Sequence, residues 1–346
     1  MEPIGACTVL ADPNSSGLLV PSAQTGVGAT AVDALRVQRA LGSRSPSLAV
    51  ATTTHHFSIG TLIGLVPYDE NPDFGWAADF LKCTADENVL VASSFAEERL
   101  DAGILSSSLT ATEEEYPEGV LVSGMTRPYG LARVMDLLLA DVMVSRVEGQ
   151  GEERALVMVN TSSEGVSGTS YNPGTGQSGQ VTFDDVPVES WVWASNIDKP
   201  VDVLLTAGFT WFQLLMTGSY LGAASALVER VLLDNRMPET ERIRLLMEVE
   251  RAMLAAEGVA RRIDDGGGAD ESTLADSLYV RYGVQDTLSR VVPRAVELLG
   301  DLESTAAEEV GYLATYADGL AQYPPAPSQM TGPLAAYLAD GPLTIA

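Results

Sequence analysis

Between Val203 and Val228 the chain carries no charged residue. A stretch of that length is hidden either in a bilayer or inside a large fold. It holds Thr206, Thr210, Gln213, Thr217, Ser219 and Ser225, and Gly218 with Gly222 forms a stripe that lets a second helix come close. No other segment is like it, and strong negative charge surrounds it. The reading is a buried helix of a soluble protein, with no membrane span. A helix buried on all sides needs layers around it. With 346 residues, 46% of them apolar, the chain is long enough to supply them.

The charge excludes several functions. Lys and Arg number 20 against 47 Asp and Glu, a formal charge of −27. No basic stripe is present to neutralise a nucleic-acid backbone. An anionic membrane surface repels such a chain. A phosphate ligand needs a local arginine or clustered backbone N–H groups, against an unfavourable field. Residues 86–118 concentrate acids around the single base Arg99, which reads as a solvated face. Cys7 and Cys83 have no metal or redox spacing, so no metal site is expected and a reducing, cytoplasmic location is the default. Met1 to Gly17 has no basic region leading into an apolar core, hence no expected signal peptide.

Three zones differ in pattern. Helical periodicity marks Ala31–Leu41 and, after Pro46, Ser47–Leu65, within a helical zone that runs to residue 87. Short apolar runs follow at Val89–Ala92, Val120–Val122, Leu137–Val147, Ala155–Val159 and Gln180–Val188, separated by turn residues such as Asn172-Pro173-Gly174. Helical segments return at Asp202–Leu233, Glu239–Ile263, Ser272–Leu299 and Ser304–Ala321, punctuated by Pro238 and Gly266-Gly267-Gly268. The expected fold class is α+β and mostly helical. Its parts are an N-terminal helical domain (1–87), a central β subdomain (88–198), a C-terminal four-helix bundle (199–322) and a proline-rich tail (323–346). The uncharged helix and the apolar end Pro342–Ile345 call for more cover than a monomer gives, so a homo-oligomer or a related subunit is expected.

This order, with certain local strings, resembles the acyl-CoA dehydrogenase superfamily from about Leu18 onward, with a shortened N-terminal domain. The strings are Val20-Pro21 with Thr25-Gly26-Val27-Gly28, Phe95-Ala96-Glu97, Ser123-Gly124-Met125-Thr126, Val181-Thr182-Phe183-Asp184-Asp185-Val186-Pro187-Val188 and Tyr220–Leu227. The resemblance implies FAD between the β subdomain and the bundle, an acyl thioester beside it, and a glutamate that removes the α-proton. Carried over by position, the cofactor-binding candidates are Phe95, Ala96, Tyr129, Gly130, Trp211 and Arg236. The implied cleft lies between Phe95–Glu98, Arg127–Leu131 and the helix near Trp211.

The chain departs from the family where the cofactor is held. Ala96 and Gly130 stand where a hydroxyl residue is common and offer backbone groups only. Asn235-Arg236-Met237-Pro238 replaces the pyrophosphate-binding string, and Gly300-Asp301 replaces a glycine pair. A carboxylate there would face the pyrophosphate and weaken FAD binding. The usual catalytic glutamate strings are missing: Tyr323-Pro324-Pro325 stands in one region and Phe212 with Gln213 in the other. The remaining catalytic candidates are His55, His56 and Glu97. The two histidines lie by resemblance on a helix lining the acyl cavity. One satisfied core histidine beside one surface histidine is the plainer reading, because adjacent helix residues point about 100° apart. Three functions stay open: a flavin-dependent oxidoreductase acting on an acyl thioester or related small apolar substrate; a flavin-free partner subunit; and a flavin-free cyclase or isomerase reusing the apolar cavity.

Overall fold

The computed structural model describes residues 16–65, 75–94, 107–115, 118–128, 131–132, 134–147, 151–169, 179–188, 190–196, 201–300, 304–323 and 325–343. Among the described residues three α-helices come first: α1 (Ala31–Arg44), α2 (Pro46–Ile63) and α3 (Gly75–Glu87). Among the described residues eight strands follow: β1 (Val91–Ser93), β2 (Thr110–Glu115), β3 (Glu118–Thr126), β4 (Leu137–Ser145), β5 (Glu152–Asn160), β6 (Val166–Thr169), β7 (Gln180–Pro187) and β8 (Ser190–Trp193). Helices α4 (Val201–Leu233), α5 (Glu239–Arg262), α6 (Glu271–Leu298), α7 (Ser304–Ala317) and α8 (Pro327–Leu338) complete the order. The expected sequence of helices, β subdomain and C-terminal helical bundle is what the chain forms.

The sheet runs β6-β7-β3-β2-β4-β5-β8, and β1 adds to β4 in parallel. It is mixed: β2 and β4 also pair in parallel, whereas β4 and β5 form a nine-residue antiparallel ladder. The core strands read as continuous apolar runs because both faces are covered, as in Ala155–Val159, all buried. Register slips between Val122 and Gly124 against β7. Gly124 takes φ +126° there, a bulge that only glycine adopts without strain.

Strand β2 falls in the acidic run expected to be a solvated face. Glu113 instead points inward and pairs with Arg146 at 2.8 Å, and the Val147 N–H donates to the same carboxylate. Arg146 also pairs with Glu153 and lies over the Trp193 ring at 4.0 Å. A half-buried ion pair of this sort hides strand character from any charge count. The tail also departs from expectation. Pro327 opens α8, at the first helical position where no backbone N–H is needed.

Two compact units divide the chain, one of Met1–Gly28, Thr54–Phe209 and Ala336–Ala346, the other of Ala29–Thr53 and Thr210–Ala335. In the first, α4 meets α2 at Gly208, where a Cβ would fall 2.0 Å from Thr61 Oγ1. In the second, Gly218 and Gly222 of α4 meet α1, and a Cβ on Gly222 would lie 2.2 Å from the Arg39 carbonyl. The small-residue stripe is thus a helix-packing seam. Of the described helices, Val201–Leu233 alone is long and apolar enough to cross a membrane, and 72% of its most apolar window is buried. Its cover comes from its own chain, which removes the uncharged helix as a ground for expecting an oligomer.

Candidate functional site

In the first unit the candidate site centres on α2. This helix has no charged residue and carries the polar run Thr52-Thr53-Thr54-His55-His56 in an apolar surround. His55 and His56 are both 1% exposed, so neither is the surface histidine expected from their 100° offset. Helix α2 is covered on all sides, and rotation about it does not lead to solvent. Their rings lie 5.3 Å apart.

The two histidines have different roles. The Val91 N–H donates to His55 Nδ1 at 3.1 Å, which fixes the proton on Nε2. Nε2 then donates to the Ser16 carbonyl at 2.9 Å. His55 is a clip joining α2, the start of β1 and the N-terminal segment, and no ring nitrogen is left for chemistry. Burial lowers its pKa from 6.5 to about 4. His56 Nδ1 has no hydrogen-bond partner among the described residues. Burial, and the adjoining His55 ring, hold His56 well below its ordinary value, so it is a neutral imidazole. Two further buried hydroxyls of this unit, Ser58 Oγ and Ser94 Oγ, also lack partners among the described residues. Unmade buried hydrogen bonds cost about 1–3 kcal/mol each and mark places where a ligand or water completes the set.

The His55 clip makes stability pH-dependent. The folded pKa lies below the unfolded one, so the unfolded chain takes up a proton that the folded chain refuses. Stability is therefore lost as pH falls through 6.5 and the loss levels off near 4, reaching about 3 kcal/mol for this one group. Urea unfolding midpoints should fall between pH 6.5 and 5 in the wild type and fall less steeply in His55→Gln. Equal slopes in the two proteins would contradict the clip.

In the second unit a different polar cluster is buried. Arg281 of α6 is 1% exposed. It donates to Gln213 Oε1 at 2.5 Å, to the Leu320 carbonyl at 3.3 Å and to the Tyr323 carbonyl. Burial lowers its pKa to about 10. Tyr220 stacks beside Tyr323 at 5.9 Å, and burial raises its phenol strongly. Gln213 Nε2 has no partner among the described residues. The sequence reading noted Gln213 and passed over Arg281. The signal was there: Leu274, Leu278 and Leu288 set a core stripe, and Arg281 stands in register with it.

The other sequence candidates fall as follows. Phe95, Ala96, Glu97, Tyr129 and Gly130 lie outside the described residues, as does Asp301. Trp211 is half-buried on α4. Arg236 is on the exposed turn after α4, where its guanidinium holds Asp234 at 2.6 Å and draws that carboxyl down to about 2. A phosphate at Arg236 would compete with Asp234. Arg127 is exposed and has no ion-pair partner among the described residues. No group of histidine, cysteine and acidic side chains among the described residues could hold a metal ion.

The architecture now has relatives to be set against. Isobutylamine N-hydroxylase of Streptomyces viridifaciens is 38% identical over 342 residues, covering 95% of this chain and 88% of that protein. The FMN-bound structure of TdsC from Paenibacillus sp. A11-2 superposes with a TM-score of 0.77 at 15% identity, over 100% of this chain and 93% of that one. Glutaryl-coenzyme A dehydrogenase in its glutaryl-CoA complex gives 0.75 at 15% identity, over 98% and 88%. No family model matches the sequence. Helices, mixed sheet and bundle in this order define the acyl-CoA dehydrogenase fold. The chain belongs to the family of isobutylamine N-hydroxylase, on the acyl-CoA dehydrogenase fold.

Proposed function

We propose that the protein hydroxylates the nitrogen of a small aliphatic primary amine, using a reduced flavin and O2. The observation that carries this reading is the 38% identity to an amine N-hydroxylase over nearly the whole chain. Charge supports it. An alkylammonium ion is drawn to a protein of charge −27, whereas coenzyme A, with its several phosphate charges, is repelled. The acyl thioester implied by the sequence resemblance is therefore the second reading.

The residues present fit a flavin at the end of β1. Ser94 directly follows that strand, is fully buried, and offers a hydroxyl with no partner among the described residues. It directly precedes the loop that the resemblance assigns to the cofactor. The acceptor-rich edge of a flavin ring suits such a donor. When bound, the reduced flavin supplies the two electrons that balance the reaction: R–NH2 + O2 + 2 e⁻ + 2 H⁺ gives R–NHOH + H2O. The chain's part is to present the amine without its extra proton, because only the free lone pair can attack oxygen. His56 Nδ1 is the group for this. A neutral imidazole acceptor in a dry setting receives an amine N–H without charge repulsion.

FAD is the proposed flavin, and the family resemblance assigns Asp301 to the pyrophosphate position, where a carboxylate would limit its affinity. At contact and an effective dielectric of ~20, a like-charge pair costs roughly 4 kcal/mol before screening, about three decades in affinity. Asp301→Gly should tighten FAD binding in a fluorescence titration and leave FMN, which has no pyrophosphate, nearly unchanged. Tight wild-type FAD binding that the substitution does not alter would refute the placement. The activity itself is tested by oxygen consumption with chemically reduced flavin. Isobutylamine should give coupled turnover and butyryl-CoA none. Anaerobic reduction of the oxidised flavin by butyryl-CoA, with no turnover of isobutylamine, would install the acyl thioester reading.

A further inference from the structure

In the second unit, helix α6 and the turn that follows α7 frame an open cavity of about 320 Å³. Leu288 of α6, Ala317 at the end of α7 and Leu320 give it an apolar lining, and all three are buried. The charged residues on its wall are both acidic, Asp286 of α6 and Asp318. Asp286 shares its charge with Arg290, whereas Asp318 takes part in no ion pair among the described residues. Gln285 lines the same wall, and its amide oxygen is buried with no hydrogen-bond partner among the described residues. The last torsion of a glutamine is loosely defined, so a half-turn of the amide presents that oxygen to the cavity. The wall is set before any ligand arrives. Arg281 donates to the Leu320 carbonyl at 3.3 Å and Tyr282 Oη to the Pro325 carbonyl at 3.1 Å, which fastens both residues to α6. A wall already in place loses little entropy on binding.

The geometry points to a binding site for a small primary alkylammonium ion. Such an ion brings N–H donors for the Asp318 carboxylate and the Gln285 amide oxygen, and an alkyl chain for the leucines. A bare divalent metal ion wants about six oxygen ligands and gains nothing from the apolar lining. An anion meets only acidic side chains. The chain's charge of −27 also draws small cations toward it. This inference does not rest on the proposed reaction: its residues belong to the second unit, and binding here needs no electrons or oxygen.

Calorimetric titration of the full-length protein as purified, with isobutylammonium and no reductant, tests it. The titrations are made on His56→Phe, which silences the amine acceptor of the proposed reaction, so that failure of one reading leaves the other standing. One ion per chain should bind with a dissociation constant of about a millimolar, as suits so small a ligand. Isobutanol, which lacks the charge, and isobutyrate, which reverses it, should bind about tenfold more weakly or not at all. Asp318→Asn should weaken binding about fivefold. Gln285→Glu adds a carboxylate to the wall and should strengthen binding by about the same factor, a gain that no misfolded variant mimics. Ser289→Trp, at an exposed position on the rim, should fill the cavity and abolish binding, with circular dichroism confirming that the variant is folded. No binding well above a millimolar would overturn the proposal. So would isobutanol binding as tightly as the ammonium ion, or an affinity that Gln285→Glu and Ser289→Trp leave unchanged.

Discussion

Arg281→Ala is expected to destabilise the protein by about 4 kcal/mol. The side chain is 1% exposed and is among the largest fully buried in the molecule. Truncation opens a cavity comparable to that of a large aromatic, worth ~3–5 kcal/mol by itself. It also strands the Gln213 amide oxygen and the carbonyls of Leu320 and Tyr323, which Arg281 now satisfies. Against this stands the relief of burying a cation. The fall of the guanidinium from 12.5 to about 10 corresponds to about 3 kcal/mol of disfavoured charge, and this keeps the net below the sum of its parts. Arg281→Lys should fall between, because an ammonium keeps the charge and loses the planar fork that reaches three acceptors. Urea unfolding of the three proteins checks the order. A loss below 1 kcal/mol in Arg281→Ala would mean that the segment from Leu320 to Tyr323 is held by other contacts.

His56→Phe should lower kcat/KM for the amine about a hundredfold, the range of a positioned acid–base group. The same change should leave stability unaltered or raise it. The ring is of similar size, and the substitution deletes a buried nitrogen that has no partner among the described residues. Loss of activity with gain of stability is the signature of a group kept for function. His55→Phe should do the opposite to stability, since it breaks the bonds to Ser16 and Val91. Unchanged amine turnover in His56→Phe would remove His56 from the site.

What the sequence made legible follows from the strength of local signals. The four bundle helices were readable within a few residues because 3.6-residue periodicity, Pro238 and the Gly266–Gly268 break all act locally. β7 was readable from its alternation and from Val181–Val188. β2 was not, since Glu113-Glu114-Glu115 looks like a solvated run until Arg146, far along the chain, is brought beside Glu113. Helix α8 was hidden by its prolines, Pro327 at its first position and Pro333 inside it, where the ring removes one backbone donor from the ladder. The site divides the same way. Two histidines in an uncharged helix stood out by composition. Their roles came from backbone groups 39 and 36 residues distant, which decide that His55 is a clip and leave His56 for chemistry. Arg281 is marked only by its register with the Leu274, Leu278 and Leu288 stripe, and Ser94 carries no local mark, because only burial distinguishes it from an ordinary surface residue. Glu97 and the loop residues around it remain expectations drawn from resemblance.

The most direct measurement is turnover of isobutylamine with reduced flavin under 18O2, read by mass spectrometry. Amine N-hydroxylation puts one labelled atom in the product and one in water, so the hydroxylamine should be heavier by two mass units than that formed under 16O2. Unlabelled product, or oxygen consumed with only peroxide formed across a range of small primary amines, would contradict the proposed function.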